Sequence, residues 1–440
     1  MRKKERVCLS VEQMPTSWYN VKADLPFAMD PPMDPETQQP MGPEKLSRIF
    51  PMGLLEQEVS INREIPIPEE VFREYVVYRP TPLIRASGLE EYLDTPARIY
   101  FKNESISPAG SHKVNTALAQ AFFNAREGVK KLVTETGAGQ WGSALAYAGQ
   151  KFGMEVRAYM VRTSYDSKPL RRKMIELFGG SVIPSPSPET QSGRHILSQA
   201  PDSPGSLGIA ISEAVEIAMN SKDANYALGS VLDHVLLHQT IIGQETRVQL
   251  SIIEEQPDIL IACVGGGSNF GGFAFPFIPD RIEKDRLQII AVEPNACPTL
   301  TQGEYRYDYG DTEHLTPMLR MYTLGSEFIP PPIHAGGLRY HGASPIVSRL
   351  VKEGLVEAEA YDQTDILTAA KIFTMCEGII PAPESSHAIQ SAIVHAKKCA
   401  KNREEKVIVF NLSGHGLMDL NSYDHIERLN HQEVLAGERK

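Results

Sequence analysis

Three short apolar runs constrain this chain most: Asp258–Val264, Leu287–Val292 and Lys406–Phe410. A strand with one wet face alternates apolar and polar residues. These runs do not alternate, so both faces must be covered, as in a parallel sheet flanked by helices. Upstream the same rhythm recurs. Residues 97–102 read as a strand, 113–126 as a helix, 131–134 as a strand, 142–152 as a helix and 155–161 as a strand. Strands and helices alternating at this spacing predict an open α/β sheet with right-handed crossovers. In such sheets ligands collect at the carboxyl ends of the strands.

The chain has 440 residues, enough for two or three domains. We expect two α/β units, 81–237 and 238–440, preceded by an extension over residues 1–80 that packs on the second unit. Eight prolines between Pro15 and Pro51 leave the extension either irregularly wrapped or partly disordered. Residues 184–206, rich in Ser, Pro and Gly, read as a long surface loop. Residues 209–219 read as a helix. A net charge of -11 argues against nucleic acid or an anionic membrane as the main partner. The five cysteines have no C-x-x-C spacing, which supports neither zinc nor a disulfide framework and leaves no metal site to predict. No apolar h-region follows the basic start, and no apolar run has the length of a membrane helix, so a cytoplasmic setting is expected.

The apolar runs end in unusual turns. Asp258–Val264 runs into Gly265-Gly266-Gly267-Ser268-Asn269, and Lys406–Phe410 into Asn411-Leu412-Ser413-Gly414-His415-Gly416. The 131–134 strand runs into Glu135-Thr136-Gly137-Ala138-Gly139-Gln140-Trp141-Gly142, and Lys113 follows Pro108-Ala109-Gly110-Ser111-His112. Glycines let main-chain N–H groups approach an anion, and a lysine entering a helix can form a Schiff base. This combination suits pyridoxal phosphate. The triple-glycine turn reads as a phosphate cradle. A dinucleotide site using Glu293 is the rival, but Phe270 breaks its glycine spacing, and a plain structural turn is a third reading. Glu135 at a strand end suits a general acid, although such residues are often merely exposed. Ser413 facing a pyridine nitrogen would make the ring a weaker electron sink than an aspartate would, favouring chemistry at the β-carbon.

These motifs, with Glu377–His387, resemble the pyridoxal phosphate-dependent tryptophan synthase beta chains, and more closely their divergent second class. The resemblance spans most of residues 80–425. It implies the type II pyridoxal phosphate-dependent fold, usually a homodimer: two open α/β sheet domains with the cofactor between them. It further implies that Lys113 carries the cofactor and moves the Cα proton. His112, Gly265, Gly266, Gly267, Ser268 and Asn269 would hold the phosphate. Glu384 would lie beside the ring and Ser413 at its nitrogen, and Asn115, Gln140 and Ser230 would also bind the cofactor. Glu135 would protonate the leaving hydroxyl of L-serine and assist indole attack. Thr136, Gly137, Ala138, Gly139 and Gln140 would bind the substrate carboxylate, beside Trp141 and Arg339. Residues 128–215 would form the mobile communication region. A monovalent cation held by main-chain carbonyls is also implied.

The chain departs from the main class at Trp141, at Arg339 and after Ser413, which puts coupling to an alpha subunit in doubt. Arg339 prompts the expectation that O-phosphoserine can replace serine; a structural ion pair is the alternative. Serine or threonine deamination and a non-catalytic regulator are the competing functions, distinguished by their products and by failure to bind the cofactor.

Overall fold

The computed structural model describes residues 5–284 and 286–424. Its strands are β1 (Arg6–Val7), β2 (Leu83–Arg85), β3 (Arg98–Asn103), β4 (Lys131–Thr136), β5 (Glu155–Val161), β6 (Ser181–Ser185), β7 (Ala224–Tyr226), β8 (Ile259–Cys263), β9 (Gln288–Pro294), β10 (Glu357–Tyr361) and β11 (Val407–Leu412), beside two small two-stranded sheets. They build a seven-stranded sheet in the order β1-β2-β3-β11-β8-β9-β10 and a four-stranded sheet in the order β6-β5-β4-β7. The smaller sheet is parallel throughout, and so is the larger one from β3 to β10, while β1 and β2 add an antiparallel edge.

The unbroken apolar runs fill two cores at once. Ile259 and Ile261 of β8 face a cluster with Phe101, Phe373, Ile389 and Phe410, whereas Leu260 and Ala262 face a second cluster with Tyr100, Phe270 and Val409. Successive side chains of a strand point to opposite faces, so both faces demand apolar residues. The rings of Phe101 and Phe410 stack at 5.7 Å between centroids, and Phe373 meets Phe101 edge-on at 5.3 Å.

The elements read from the sequence are present with small shifts at their ends, and three expectations are corrected. First, β2 and β3 lie in the larger sheet, so the expected 81–237 unit gives its first two strands to the sheet formed by residues beyond 238. Second, residues 184–206 are not one loop. They include the end of β6 and a helix, Gln191–Gln199, whose first turn is capped by the Thr190 side chain accepting from Gly193 N at 2.9 Å. Ser206, one of the serines that suggested a loop, caps the next helix by accepting from Ile209 N. Third, the described part of the extension is ordered and touches both units. Its helix Glu69–Val76 packs on helix α1 (Val114–Arg126), and its helix Met52–Val59 packs on Asp233–Gln239. Trp18 is fully buried against His238, their rings 4.5 Å apart. Among the described residues no helix is long and apolar enough to cross a membrane.

Candidate active site

The glycine turns converge because each follows a parallel strand, and parallel strands end on one side of their sheet. One cavity is lined by Lys113 ahead of α1, by Glu135 through Ala138 and by Gln140 and Trp141 after β4. Gly229 and Ser230 beyond β7, Gly265 through Asn269 after β8, Glu384, and Ser413 after β11 complete it.

The cradle turn is built for glycine. A Cβ on Gly265 would stand 2.9 Å from Gly337 O, one on Gly266 would stand 2.5 Å from Ser230 Oγ, and Gly267 has φ of 115°. Ser268 N donates to Ser230 Oγ at 3.2 Å. Asn269 faces the cavity but is held from behind: its Nδ2 donates to Cys263 O at 2.9 Å, and its Oδ1 accepts from Asn411 at 2.6 Å. His112 spans the cradle and the β11 turn, with Nε2 3.3 Å from Ser268 Oγ and Nδ1 3.3 Å from Ser413 O. Burial, reinforced by the neighbouring Lys113 cation, lowers His112 to about 3, so it is neutral. The Ser413 hydroxyl lies 2.7 Å from Ser385 Oγ. Glu384 Oε1 accepts from Gly337 N at 2.8 Å and from Gln140 at 3.1 Å, while its buried Oε2 has no partner among the described residues.

Two titratable groups face this cradle. Lys113 Nζ donates to Gly229 O at 2.9 Å, and burial lowers its amine to about 8 despite the pull of Glu135 and Glu384. Glu135 is 5% exposed, and burial raises its carboxyl to about 7 against the hydrogen bond from Tyr226 OH at 2.6 Å. A buried amine and a buried carboxyl, both brought near neutral pH, are equipped for proton transfer.

Other expected residues lie elsewhere. Asn115 is fully buried behind α1, where its Oδ1 accepts from Tyr78 OH at 2.7 Å and from Arg79 at 3.0 Å and its Nδ2 donates to Gln239 at 2.9 Å. It does not line the cavity. Nor does Arg339: its guanidinium donates to Pro330 O at 2.8 Å, and among the described residues it has no carboxylate partner, so the ion-pair alternative fails as well. Gly139 supports its loop from outside the cavity, with φ of 97° and no room for a Cβ beside Arg171. Thr136 reaches the cavity, but its hydroxyl accepts from Gly142 N at 3.1 Å. Tyr226 and Gly229 were not expected; they hold Glu135 and Lys113. The apolar wall of Leu46, Ile49, Phe50, Leu207, Ile211 and Tyr340 was also unforeseen.

The comparisons with known proteins agree with this geometry. The pyridoxal-phosphate dependent enzyme family matches residues 76–414. The tryptophan synthase beta chain 2 of Thermotoga maritima is 65% identical, covering 95% of this chain and 99% of that one. The chain belongs to the tryptophan synthase beta chain family. A relative from Thermosipho africanus, a tryptophan synthase beta chain, is 61% identical over 96% of this chain and all of its own. In fold the chain is similar to the processed form of threonine deaminase isoform 2 from Solanum lycopersicum, at a TM-score of 0.60 and 18% identity over 94% of this chain and 99% of that one. Membership makes the chain a pyridoxal phosphate-dependent lyase of type II fold. Its own residues fit that cofactor: a cradle a Cβ would fill, an unpartnered Glu384 oxygen, a buried neutral hydroxyl and an amine aimed into the same cavity.

Proposed function

We propose that this chain performs the tryptophan synthase beta reaction, replacing the hydroxyl of L-serine with indole to give L-tryptophan and water. When bound, pyridoxal phosphate supplies the electron sink that acidifies the proton on the amino-bearing carbon. Gly265 through Asn269 would hold its phosphate, and the Ser413 hydroxyl would serve as a neutral partner for its ring. Amides of the 136–140 loop hold the serine carboxylate. The Lys113 amine takes up and returns the Cα proton. Glu135 hands a proton to the departing hydroxyl and then faces the indole N–H. The apolar wall admits an aromatic nucleophile and keeps water away from the reacting carbon.

The observation that carries this reading is the Glu135 carboxyl, buried, lifted to about 7 and oriented by Tyr226 in the cavity that holds the Lys113 amine. Deamination also needs a proton for the departing hydroxyl, so the apolar antechamber is what separates the two: an aromatic nucleophile uses it and deamination alone does not. Arg339, turned to Pro330, gives no support to phosphoserine. The reading includes a cytoplasmic homodimer taking indole from solution past Leu46, Ile49 and Phe50. The test is to reconstitute the purified protein with pyridoxal phosphate, add L-serine with and without indole, and identify the products. Tryptophan formed at the expense of pyruvate is the expected result. Pyruvate regardless of indole makes the chain a deaminase.

A further inference from the structure

Trp141 occupies an unusual place between the two reactive groups. It is 3% exposed and lines the cavity, and its ring lies against Gly229, where a Cβ would approach within 2.7 Å of the indole carbons. Gly229 is the residue whose carbonyl takes the Lys113 amine at 2.9 Å. At its other edge, Trp141 Nε1 donates to Thr134 Oγ1 at 2.6 Å. That hydroxyl donates onward to Ala227 O and lies 3.5 Å from Glu135 Oε2. One side chain therefore fixes the segment 227–229 at both ends, by a ring face at Gly229 and through Thr134 at Ala227. Ala227 N is in turn bonded to Val133 O at 3.0 Å, so the segment is tied to the strand that carries Glu135.

We propose that Trp141 is a positioning residue: it sets the Gly229 carbonyl that receives the Lys113 amine, and it spaces that carbonyl from Glu135. The inference rests on the proposed roles of Lys113 and Glu135. Gly229 has no side chain of its own to hold its carbonyl, so the wall behind it determines its place. Displacing such an acceptor by a fraction of a bond length changes when the amine is charged and where it points, and misplacement near 1 Å is worth on the order of 10²-fold in rate.

The test uses the reconstituted holoenzyme and three variants. Trp141→Phe keeps a ring face but loses the N–H, Trp141→Leu loses the face, and Gly229→Ala pushes a methyl into the ring. The first readout needs no turnover: the pH midpoint of the rate at which the free Lys113 amine takes up pyridoxal phosphate during reconstitution, since that amine becomes an imine once the cofactor is bound. We expect Trp141→Leu and Gly229→Ala to move that midpoint and to lower kcat roughly tenfold at nearly unchanged KM for L-serine. We expect Trp141→Phe, which keeps a ring against Gly229 but loses the tie through Thr134, to move the midpoint less than Trp141→Leu does. The double variant Trp141→Leu/Gly229→Ala makes room for the methyl and should return toward the parent. If Trp141→Leu does not fold, Gly229→Ala decides. Variants that bind cofactor with the parent's midpoint and kcat overturn the proposal; a parent that binds no cofactor overturns the underlying reading instead.

Discussion

Two buried charge clusters lie on opposite sides of α1, and they are wired in opposite ways. Behind the helix, Arg79 pairs with Glu104 at 2.7 Å and Glu245 at 2.9 Å, and Lys102 pairs with Glu245 at 2.6 Å, all four side chains fully buried. In front, Lys113 and Glu135 have no ion-pair partner among the described residues; a carbonyl and a phenol take their place. The consequence shows in the carboxyls. Burial alone would raise Glu104, but the Arg79 guanidinium holds it below its ordinary value. Burial wins at Glu135, which rises to about 7. A buried carboxylate facing a guanidinium is a structural joint, whereas one facing only a hydroxyl is a proton donor.

The sharpest break in this contrast is at Lys113. Lys113→Ala should abolish tryptophan formation, and the covalent shift in cofactor absorbance, while far-UV dichroism and the thermal midpoint of the apoprotein stay near the parent's. Glu135→Gln keeps the shape of the side chain and removes the proton, so kcat should fall by about 10²–10⁴ with serine binding retained. At the rear, Arg79→Met inverts the pattern. It leaves Glu104 and Glu245 without their guanidinium and should cost about 3–5 kcal/mol in urea unfolding, yet the folded fraction should keep kcat within a few-fold. A rear variant that lost kcat without losing stability would erase the distinction between the clusters.

Much of this arrangement was legible in the sequence, and the exceptions share a geometric cause. Lys113, the triple-glycine turn, Glu135, Glu384 and Ser413 sit at strand ends or helix starts, where local sequence dictates which way the chain faces. Asn115 follows Lys113 by two residues on a helix, about 200° around the axis, so it faces the rear cluster. Arg339 lies between Leu338 and Tyr340, which both line the cavity, but its turn conformation at the end of a short 3-10 helix, with φ of -92° and ψ of 65°, sends its guanidinium to Pro330 instead. Tyr226 and Gly229 were invisible for another reason. β7 pairs with β4 so that Tyr226 stands opposite Val133, two residues before Glu135, and that register across the sheet exists only once the chain is folded.

The clusters should also respond oppositely to pH. Glu135 has a folded value above its ordinary 4.5, so its contribution to stability is full below 4.5 and lost as pH rises through about 7. Lys113 is depressed from 10.5, so its contribution is full above 10.5 and lost as pH falls through about 8. The front cluster thus weakens the apoprotein most between about pH 7 and 8. Glu104, held low, contributes above 4.5 and is lost only on acidification. Urea midpoints of the apoprotein and of Glu135→Gln at pH 5 and pH 7 should diverge, with the variant gaining relative to the parent at pH 7. Equal differences at both values would place Glu135 among ordinary carboxylates.

The smallest expected effect lies at Tyr226, and it tests the wiring most directly. Its hydroxyl donates to Glu135 Oε2 at 2.6 Å, which favours the ionised carboxyl and offsets part of the rise that burial causes. Tyr226→Phe removes that bond and little volume. Glu135 should then stay protonated to higher pH, so the alkaline limb of the kcat profile, set by loss of the acid, should move upward. The plateau should drop only a few-fold, about the price of a less firmly oriented proton donor. Movement of the limb to lower pH would mean that the phenol was holding the proton on Glu135 rather than drawing it off, and the front cluster would then be a paired joint like the one behind α1.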